Sequence, residues 1–380
     1  MKSRWSGAIG HGARASYDEL AAEELARVMG TDSEPFLLDV REPDEVAAWP
    51  MPGALNIPLG DLGARLAELP SDRPVVVLCA SGNRSRVASK ALAGAGFDVA
   101  NLSGGMAAWG GVYDEAELGV GATTVVQLRR RAKGCLSYLV GSGDEAFVVD
   151  PSMDVERYLE AAAARGWRVS RVIDTHLHAD HLSGVRELAA ATGATIHLNP
   201  ADSFGFPFEP LSHGDRLPLP GDASVSIATI HTPGHTEGST LLSVDGATSE
   251  QAVLTGDTVF VDGVGRPDLA ERAEEFARSL HKSLHEHVVS LPDDTTVLPA
   301  HYGLGVPVRP GEPVAATAGD LRATLEPLSL DEEAFVEWAT SRVTPRPPNY
   351  VAIIQANMGR WGESPRALRH LEAGPNRCSA

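Results

Sequence analysis

The chain has 380 residues, too many for one ordinary domain at roughly 100–200 residues each, so two or three folded units are expected. Hydrophobic residues make up 43 %, enough for a sizeable core, which excludes wholesale disorder. With 32 Lys and Arg against 51 Asp and Glu the formal net charge is −19, which argues against nucleic-acid and anionic-membrane partners. Three cysteines (Cys79, Cys135, Cys378) are too few for a disulfide framework and fit a reducing compartment. No apolar stretch approaches the ~20 residues of a membrane span. The first residues carry Arg4, His11, Arg14 and Asp18 with no apolar signal core, so a soluble cytoplasmic chain is expected.

From Tyr17 to Gly30, Leu20, Ala21, Leu25, Val28 and Met29 share one face of a predicted helix. Phe36 to Val40, Val75 to Leu78 and Val99 to Leu102 read as short buried strands, with a helix at Val87 to Gly94 between the last two. Strands alternating with helices imply a mostly parallel sheet covered on both faces. The acidic, glycine-bearing stretch 112–121 reads as a linker. A second set of strands follows at Val125 to Leu128, Leu136 to Val140 and Phe147 to Asp150. The last two are joined by a hairpin signal at Gly141-Ser142-Gly143-Asp144. A helix at Asp154 to Arg165, a strand at Val169 to Asp174 and apolar runs at Val225 to Ile230, Thr240 to Val244, Ala252 to Leu254 and Thr296 to Leu298 continue the mixture. Helices are expected near Leu321 to Leu325 and Glu333 to Thr340, then a frayed end.

Cys79-Ala80-Ser81-Gly82-Asn83-Arg84-Ser85 follows a buried strand and precedes a helix. Backbone N–H groups curling there, backed by a helix N-terminus, form an anion nest that lowers the pKa of a cysteine at its start. Gly82 permits the curl and Arg84 adds positive charge. With Leu38-Asp39-Val40-Arg41-Glu42-Pro43-Asp44-Glu45 upstream and Gly104-Gly105-Met106-Ala107-Ala108-Trp109 downstream, this stretch resembles the rhodanese family. The resemblance implies a persulfide on Cys79 that carries sulfane sulfur, with Arg84 beside it. Trp49-Pro50-Met51-Pro52-Gly53 departs from the family's Gly-His-Ile-Pro-Gly type of run.

Three histidines crowd into Thr175-His176-Leu177-His178-Ala179-Asp180-His181, a density that suits a metal held on a loop after a strand. Further ligand-type residues stand in turns after apolar runs: His235 in Thr232-Pro233-Gly234-His235, Asp257 in Thr255-Gly256-Asp257, and His301 in Pro299-Ala300-His301-Tyr302. Together and in this order they resemble the metallo-β-lactamase fold superfamily, which implies an αββα domain. His197, His213, His231, His281, His285 and His287 lie outside these motifs and read as surface or structural histidines. Cys135 reads as a core-strand residue.

Two branches of that superfamily fit. A dinuclear zinc hydrolase of the glyoxalase II type would use His176, His178 and His235 for one ion and Asp180, His181 and His301 for the other, bridged by Asp257. A persulfide dioxygenase would hold one Fe(II) per chain with His176, His235 and Asp257. His178, Asp180, His181 and His301 would then surround it. Ligand counting does not separate the two. The run Gly265-Arg266-Pro267-Asp268-Leu269, the sequence Thr175 to Gly184, and Pro347-Pro348-Asn349-Tyr350 with Asn357 resemble the dioxygenase branch. So does the pairing with a sulfur-transfer domain. Arg266 is a candidate for binding substrate or for an ion pair with Asp268. Tyr302-Gly303 follow His301 directly, where the family commonly has an acidic residue and then Tyr, which bears on glutathione as the carrier.

The expected organisation is therefore an α/β rhodanese-like domain at 15–111, a linker at 112–121, and a metallo-β-lactamase-fold domain at 122–359 with its core at 122–305 and a helical part at 306–359. A tail follows at 360–380. The expected chemistry is oxidation of a thiol persulfide, of glutathione or a similar carrier, by O₂ to sulfite and thiol, coupled to sulfur transfer at Cys79. The alternatives are the zinc hydrolase and a sulfur-relay or redox-sensing protein with an inert metallo domain. The expected partners are the small-molecule persulfide, thiol, sulfite and O₂, without nucleic acid or membrane; a homo-oligomer is compatible with this.

Overall fold

The computed structural model describes residues 16–219, 222–245, 251–269, 272–342, 346, 349–360, 368, 371 and 372. The chain divides into two compact units, Met1–Val112 and Tyr113–Ala380. Among the described residues no helix is long and apolar enough to cross a membrane.

The first unit runs β1 (Asp18–Leu20), α1 (Ala22–Val28), β2 (Phe36–Asp39), α2 (Pro43–Ala48), β3 (Leu55–Asn56), β4 (Val75–Leu78), α3 (Asn83–Gly94), β5 (Val99–Leu102) and α4 (Gly105–Trp109). Its sheet has the order β1-β5-β4-β2-β3, with every pair parallel. All four residues of β4 are buried, as expected for the centre of a parallel sheet, where strands read as continuous apolar runs. The expected first helix is shorter than its pattern suggests. Residues 18–20 pair with β5 instead, because Leu20 opposite Leu102 gains a buried ladder position that a local helix would not offer.

The second unit continues with β6 (Tyr113–Val120), β7 (Thr123–Arg130), β8 (Cys135–Ser142), β9 (Glu145–Val149), α5 (Val155–Ala164), β10 (Arg168–Ile173), α6 (Val185–Thr192), β11 (Thr195–Leu198) and β12 (Glu209–Pro210). These strands form one sheet, β12-β11-β10-β9-β8-β7-β6. Next come β13 (Arg216–Leu219), β14 (Asp222–His231), β15 (Thr240–Asp245), β16 (Gln251–Gly256), α7 (Ala273–His287), β17 (Thr296–Pro299), β18 (Ala316–Thr317), α8 (Ala318–Thr324), α9 (Glu332–Ser341) and α10 (Tyr350–Asn357), the strands forming a second sheet in chain order. Side chains alternate across a strand. Val125, Val140, Phe147, Leu242, Leu254 and Leu298 therefore face the core between the sheets. Val126, Leu139 and Val148 face the opposite way, against Tyr158, Ala161 and Leu188 of α5 and α6. Leu241, Val253 and Val297 meet Leu280, Leu284 and Phe335 of α7 and α9. The layering is helix, sheet, sheet, helix.

Two expectations are corrected. The stretch 112–121 is not a linker. Residues Tyr113–Val120 pair antiparallel with β7 along their whole length, from Tyr113 opposite Arg130 to Val120 opposite Thr123. The alternation Ala116, Leu118, Val120 supplies its inward face, while Glu115 and Glu117 occupy the intervening positions. The region 360–380 is not wholly a tail, because Leu368 and Leu371 pack with Met153, Leu182, Ile353 and Ala356, and Glu372 is buried. Pro345, Pro347, Pro348, Cys378 and most of 361–380 lie outside the described residues.

Candidate active sites

In the first unit Cys79 follows β4, and the chain curls through Gly82, whose φ of 89° sets the start of α3. The Cys79 thiol is buried and receives the N–H of Gly82 at 3.2 Å, the N–H of Ser85 at 3.4 Å and the Ser85 hydroxyl at 3.3 Å. Burial pushes the thiol pKa up. The Ser85 hydroxyl and the N–H groups of Ser85, Ser81 and Gly82 outweigh that and leave it below the ordinary value. The downstream glycines explain the loop's shape. Gly105 has φ 58°, and a Cβ there would stand 2.2 Å from the Cys79 carbonyl oxygen. That close approach lets Met106 N–H donate to the same carbonyl at 2.8 Å.

Arg84 projects from the loop and makes two 2.6 Å bonds to the Glu45 carboxylate of α2. The arginine holds the Glu45 pKa down at about 2. Glu45 is placed in turn by Arg41, which is buried against Asp39 and donates to the carbonyls of Glu45 and Trp49. The upstream motif thus anchors the arginine of the downstream one.

In the second unit the ligand-type residues leave the ends of β10, β14, β16 and β17 and form three buried groups, each with its ligand atoms within 4.8 Å of one another. The first is His176, His235 and Asp257. His176 Nε2 lies 3.5 Å and His235 Nε2 3.4 Å from the same Asp257 oxygen, Oδ2. None of these three atoms has a hydrogen-bond partner. The far side of His235 is engaged, with Nδ1 donating to the Arg266 carbonyl at 3.0 Å, which leaves the Nε2 lone pair facing Asp257. Burial drops the His235 pKa to about 4, so this imidazole is neutral. Burial alone would raise Asp257, but His301 and His176 outweigh it and keep the carboxyl ionised. Three converging, unpartnered, buried donor atoms of two neutral-capable imidazoles and a carboxylate fit a divalent metal ion.

The second group is Cys135, Asp180, His181 and His301. His301 links it to the first, with Nδ1 at 2.6 Å from Asp257 and Nε2 at 2.9 Å from Asp180. His181 Nδ1 lies 3.0 Å from Asp180, and the Cys135 thiol lies 3.5 Å from it. The third group takes His178, with Nε2 at 3.2 Å from Asp150 and 3.6 Å from Asp174. Burial would lower the His178 pKa, and these two carboxylates instead raise it well above the ordinary value. Arg266 is fully buried and grips Asp268 at 2.6 and 2.9 Å, and Arg346 reaches the same carboxylate at 3.1 Å.

Sequence reading leaves five neighbours of this centre unassigned to it. Asp174 immediately precedes the histidine motif and Asp150 ends the adjacent strand, so proximity to the motif was the available signal. Cys135 starts β8 as a buried strand residue, and only the fold turns its thiol toward Asp180. Glu372 accepts the Leu182 N–H at 2.6 Å and is held by Arg130 at 2.9 Å, a contact with no local sequence signal. Asn357, noted only as part of a late run, donates to the carbonyls of His178 and His181 at 2.9 and 2.8 Å and accepts from Ser183 N–H at 2.9 Å. Among the described residues, the six remaining histidines named above belong to none of the three groups.

Two family models match the chain: Rhodanese-like domain over residues 21–111 and Metallo-beta-lactamase superfamily over residues 130–301. A hydroxyacylglutathione hydrolase of Methylobacillus flagellatus is 35 % identical over 43 % of this chain and 60 % of its own length. The chain thus spans about three fifths of the hydrolases it matches. The mitochondrial persulfide dioxygenase ETHE1 of Homo sapiens is 26 % identical over 66 % of this chain and 93 % of its own. The crystal structure of ETHE1 from Myxococcus xanthus superposes with a TM-score of 0.54 at 26 % identity, covering 62 % of this chain and 97 % of that one. The chain is a rhodanese-like domain followed by a domain of the metallo-beta-lactamase superfamily.

Proposed function

We propose that the second unit oxidises a low-molecular-weight thiol persulfide with O₂, holding one Fe(II) with His176, His235 and Asp257, and that Cys79 of the first unit handles the sulfane sulfur. The balanced reaction is RSSH + O₂ + H₂O → RSH + SO₃²⁻ + 2H⁺. In it the outer sulfur loses the four electrons that O₂ gains. The bound ferrous ion would supply the redox chemistry that joins O₂ to sulfur. His235 is held as its neutral tautomer by the Arg266 carbonyl, and His301 fixes one Asp257 oxygen so that the other faces the histidines. Arg266 acts in this reading by positioning His235, since Asp268 engages its guanidinium. Cys79, as thiolate in its nest, takes up sulfane sulfur, and its persulfide can pass that sulfur to sulfite, giving thiosulfate and free thiolate. A reducing cytoplasm suits this role for Cys79 and keeps Cys135 unpaired.

The observation that carries the reading is the convergence of His176 Nε2, His235 Nε2 and Asp257 Oδ2, three buried atoms without hydrogen-bond partners. Two histidines and one carboxylate are the ligand set of non-haem Fe(II) oxygenases. His178 falls in a separate group, 3.2 Å from Asp150 and 3.6 Å from Asp174. A second reading, the dinuclear zinc hydrolase, is favoured by the grouping of Cys135, Asp180, His181 and His301.

Metal analysis and O₂ uptake separate the two. On the dioxygenase reading, iron-loaded protein consumes O₂ with a thiol persulfide, His176→Ala loses the iron, and His178→Asn retains it. Zinc-dependent hydrolysis of a hydroxyacyl thioester, two zinc ions per chain and loss of one with His178→Asn would establish the hydrolase instead.

A further inference from the structure

Beside His235 lies a cavity of about 260 Å³ within the second unit. Leu177, Leu269, Phe276, Ile354 and Met358 give it apolar walls. Its polar lining consists of Asp202, Ser203, Thr236 and Glu237, so both ionisable side chains on its walls apart from His235 are acids. His235 lines it and is also a member of the His176, His235 and Asp257 group, so the cavity borders that group at this residue.

Several donors around the cavity are already engaged. Asp202 is buried and accepts the N–H groups of Leu177 at 2.9 Å and Gly238 at 2.8 Å, and the Thr236 hydroxyl at 2.9 Å. The Thr236 N–H goes to the Ser239 hydroxyl and the Ala201 N–H to the Asn199 side chain. Among the described residues, two arginines bond to side chains or carbonyls of the cavity wall. Arg272 pairs with Glu237 and Glu275, and Arg360 donates to the Ser203 carbonyl. A ligand carboxylate entering here would meet apolar walls and the Asp202 carboxyl, with these backbone donors occupied, and burying a charge on those terms is unfavourable.

We infer that this cavity receives the organic group of the persulfide and selects a neutral thiol, apolar along its length with amide or hydroxyl groups, over carboxylate-bearing thiols such as glutathione. The inference rests on the persulfide reading and names its substrate class. Leu177, Phe276 and Met358 hold the chain of the thiol, and the Ser203 and Thr236 hydroxyls meet its polar atoms.

The test compares N-acetylcysteamine persulfide, whose organic group is uncharged, with glutathione persulfide, whose organic group carries two carboxylates, in O₂ uptake by iron-loaded protein. The free thiols are compared in parallel by titration calorimetry. The N-acetylcysteamine persulfide is expected to have the higher kcat/KM by about tenfold or more, mainly through KM, with the two thiols binding in the same order. Met358→Lys, which sets a cation in the wall, is expected to narrow or reverse the ratio by lowering KM for glutathione persulfide. Equal or better use of glutathione persulfide by the unaltered protein, or an unchanged ratio in Met358→Lys, overturns the inference. O₂ uptake with neither persulfide overturns the dioxygenase reading alone, because the order of thiol binding still decides what the cavity selects.

Discussion

At Cys79 the chemistry is set by groups contributed within seven residues. On the proposed function the Cys79 thiolate is the nucleophile, so its single-turnover loading from thiosulfate should rise with pH. Its midpoint should lie below that of an ordinary cysteine thiol, because the folded-state pKa is lowered. Ser85→Ala removes the hydroxyl at 3.3 Å and should move that midpoint upward. A midpoint unchanged in the variant would show that the backbone N–H groups alone set it. This residue-level chemistry was legible in the sequence, because nest, cysteine and helix start are contiguous. The partner of Arg84 was less so: Glu45 stands 39 positions away, and only the parallel neighbours β2 and β4 bring the two loops together. His178 shows the same limit, since its place in the motif is shared by both enzyme branches. Its carboxylate neighbours follow from the fold, Asp150 adopting a φ of 51° at the end of β9.

At the level of elements, strands buried on both faces announced themselves as apolar runs, whereas β6 was overlooked because its outward positions are acidic. Short strands such as β12 and β18 pair over two residues and carry no periodic signal. The turn before α4 is built around one contact. Gly105→Ala would place a methyl against the Cys79 carbonyl in a left-handed conformation costing about 1–2 kcal/mol before any clash is counted. Thermal unfolding of the first unit should fall accordingly, and sulfur transfer should be lost with it. In the second unit α10 presents Asn357 to three backbone groups of the histidine loop. Asn357→Ala should weaken metal binding by about 10–100-fold, as loss of an orienting partner does, read by competition with a chromogenic chelator. Unaltered affinity would mean the loop holds its shape without the asparagine.

For the whole molecule, the proposed function gives the two units separate chemistries. Cys79→Ser should abolish cyanide-accepting sulfur transfer and leave O₂ uptake with a persulfide near the unaltered rate. If both fell together, the activities would be coupled. The net charge of −19 has a kinetic consequence, because thiosulfate is itself an anion. Its encounter with the protein is opposed by the overall field, which salt screens over about 10 Å at 0.1 M. The kcat/KM for thiosulfate should therefore rise between low and physiological ionic strength. A fall would mean that Arg84 and the loop nest dominate the approach of the anion.

The bond from Leu182 N–H to Glu372 spans 190 residues of chain. At about 5–20 residues per second of synthesis, the histidine loop emerges roughly 10–40 s before the residue that clamps it. During that interval the histidines and Asp180 stand in an unfinished chain, where intrinsic metal affinities favour copper and zinc over iron. On the metal-binding reading, retention of the ion is thus tied to synthesis reaching Glu372.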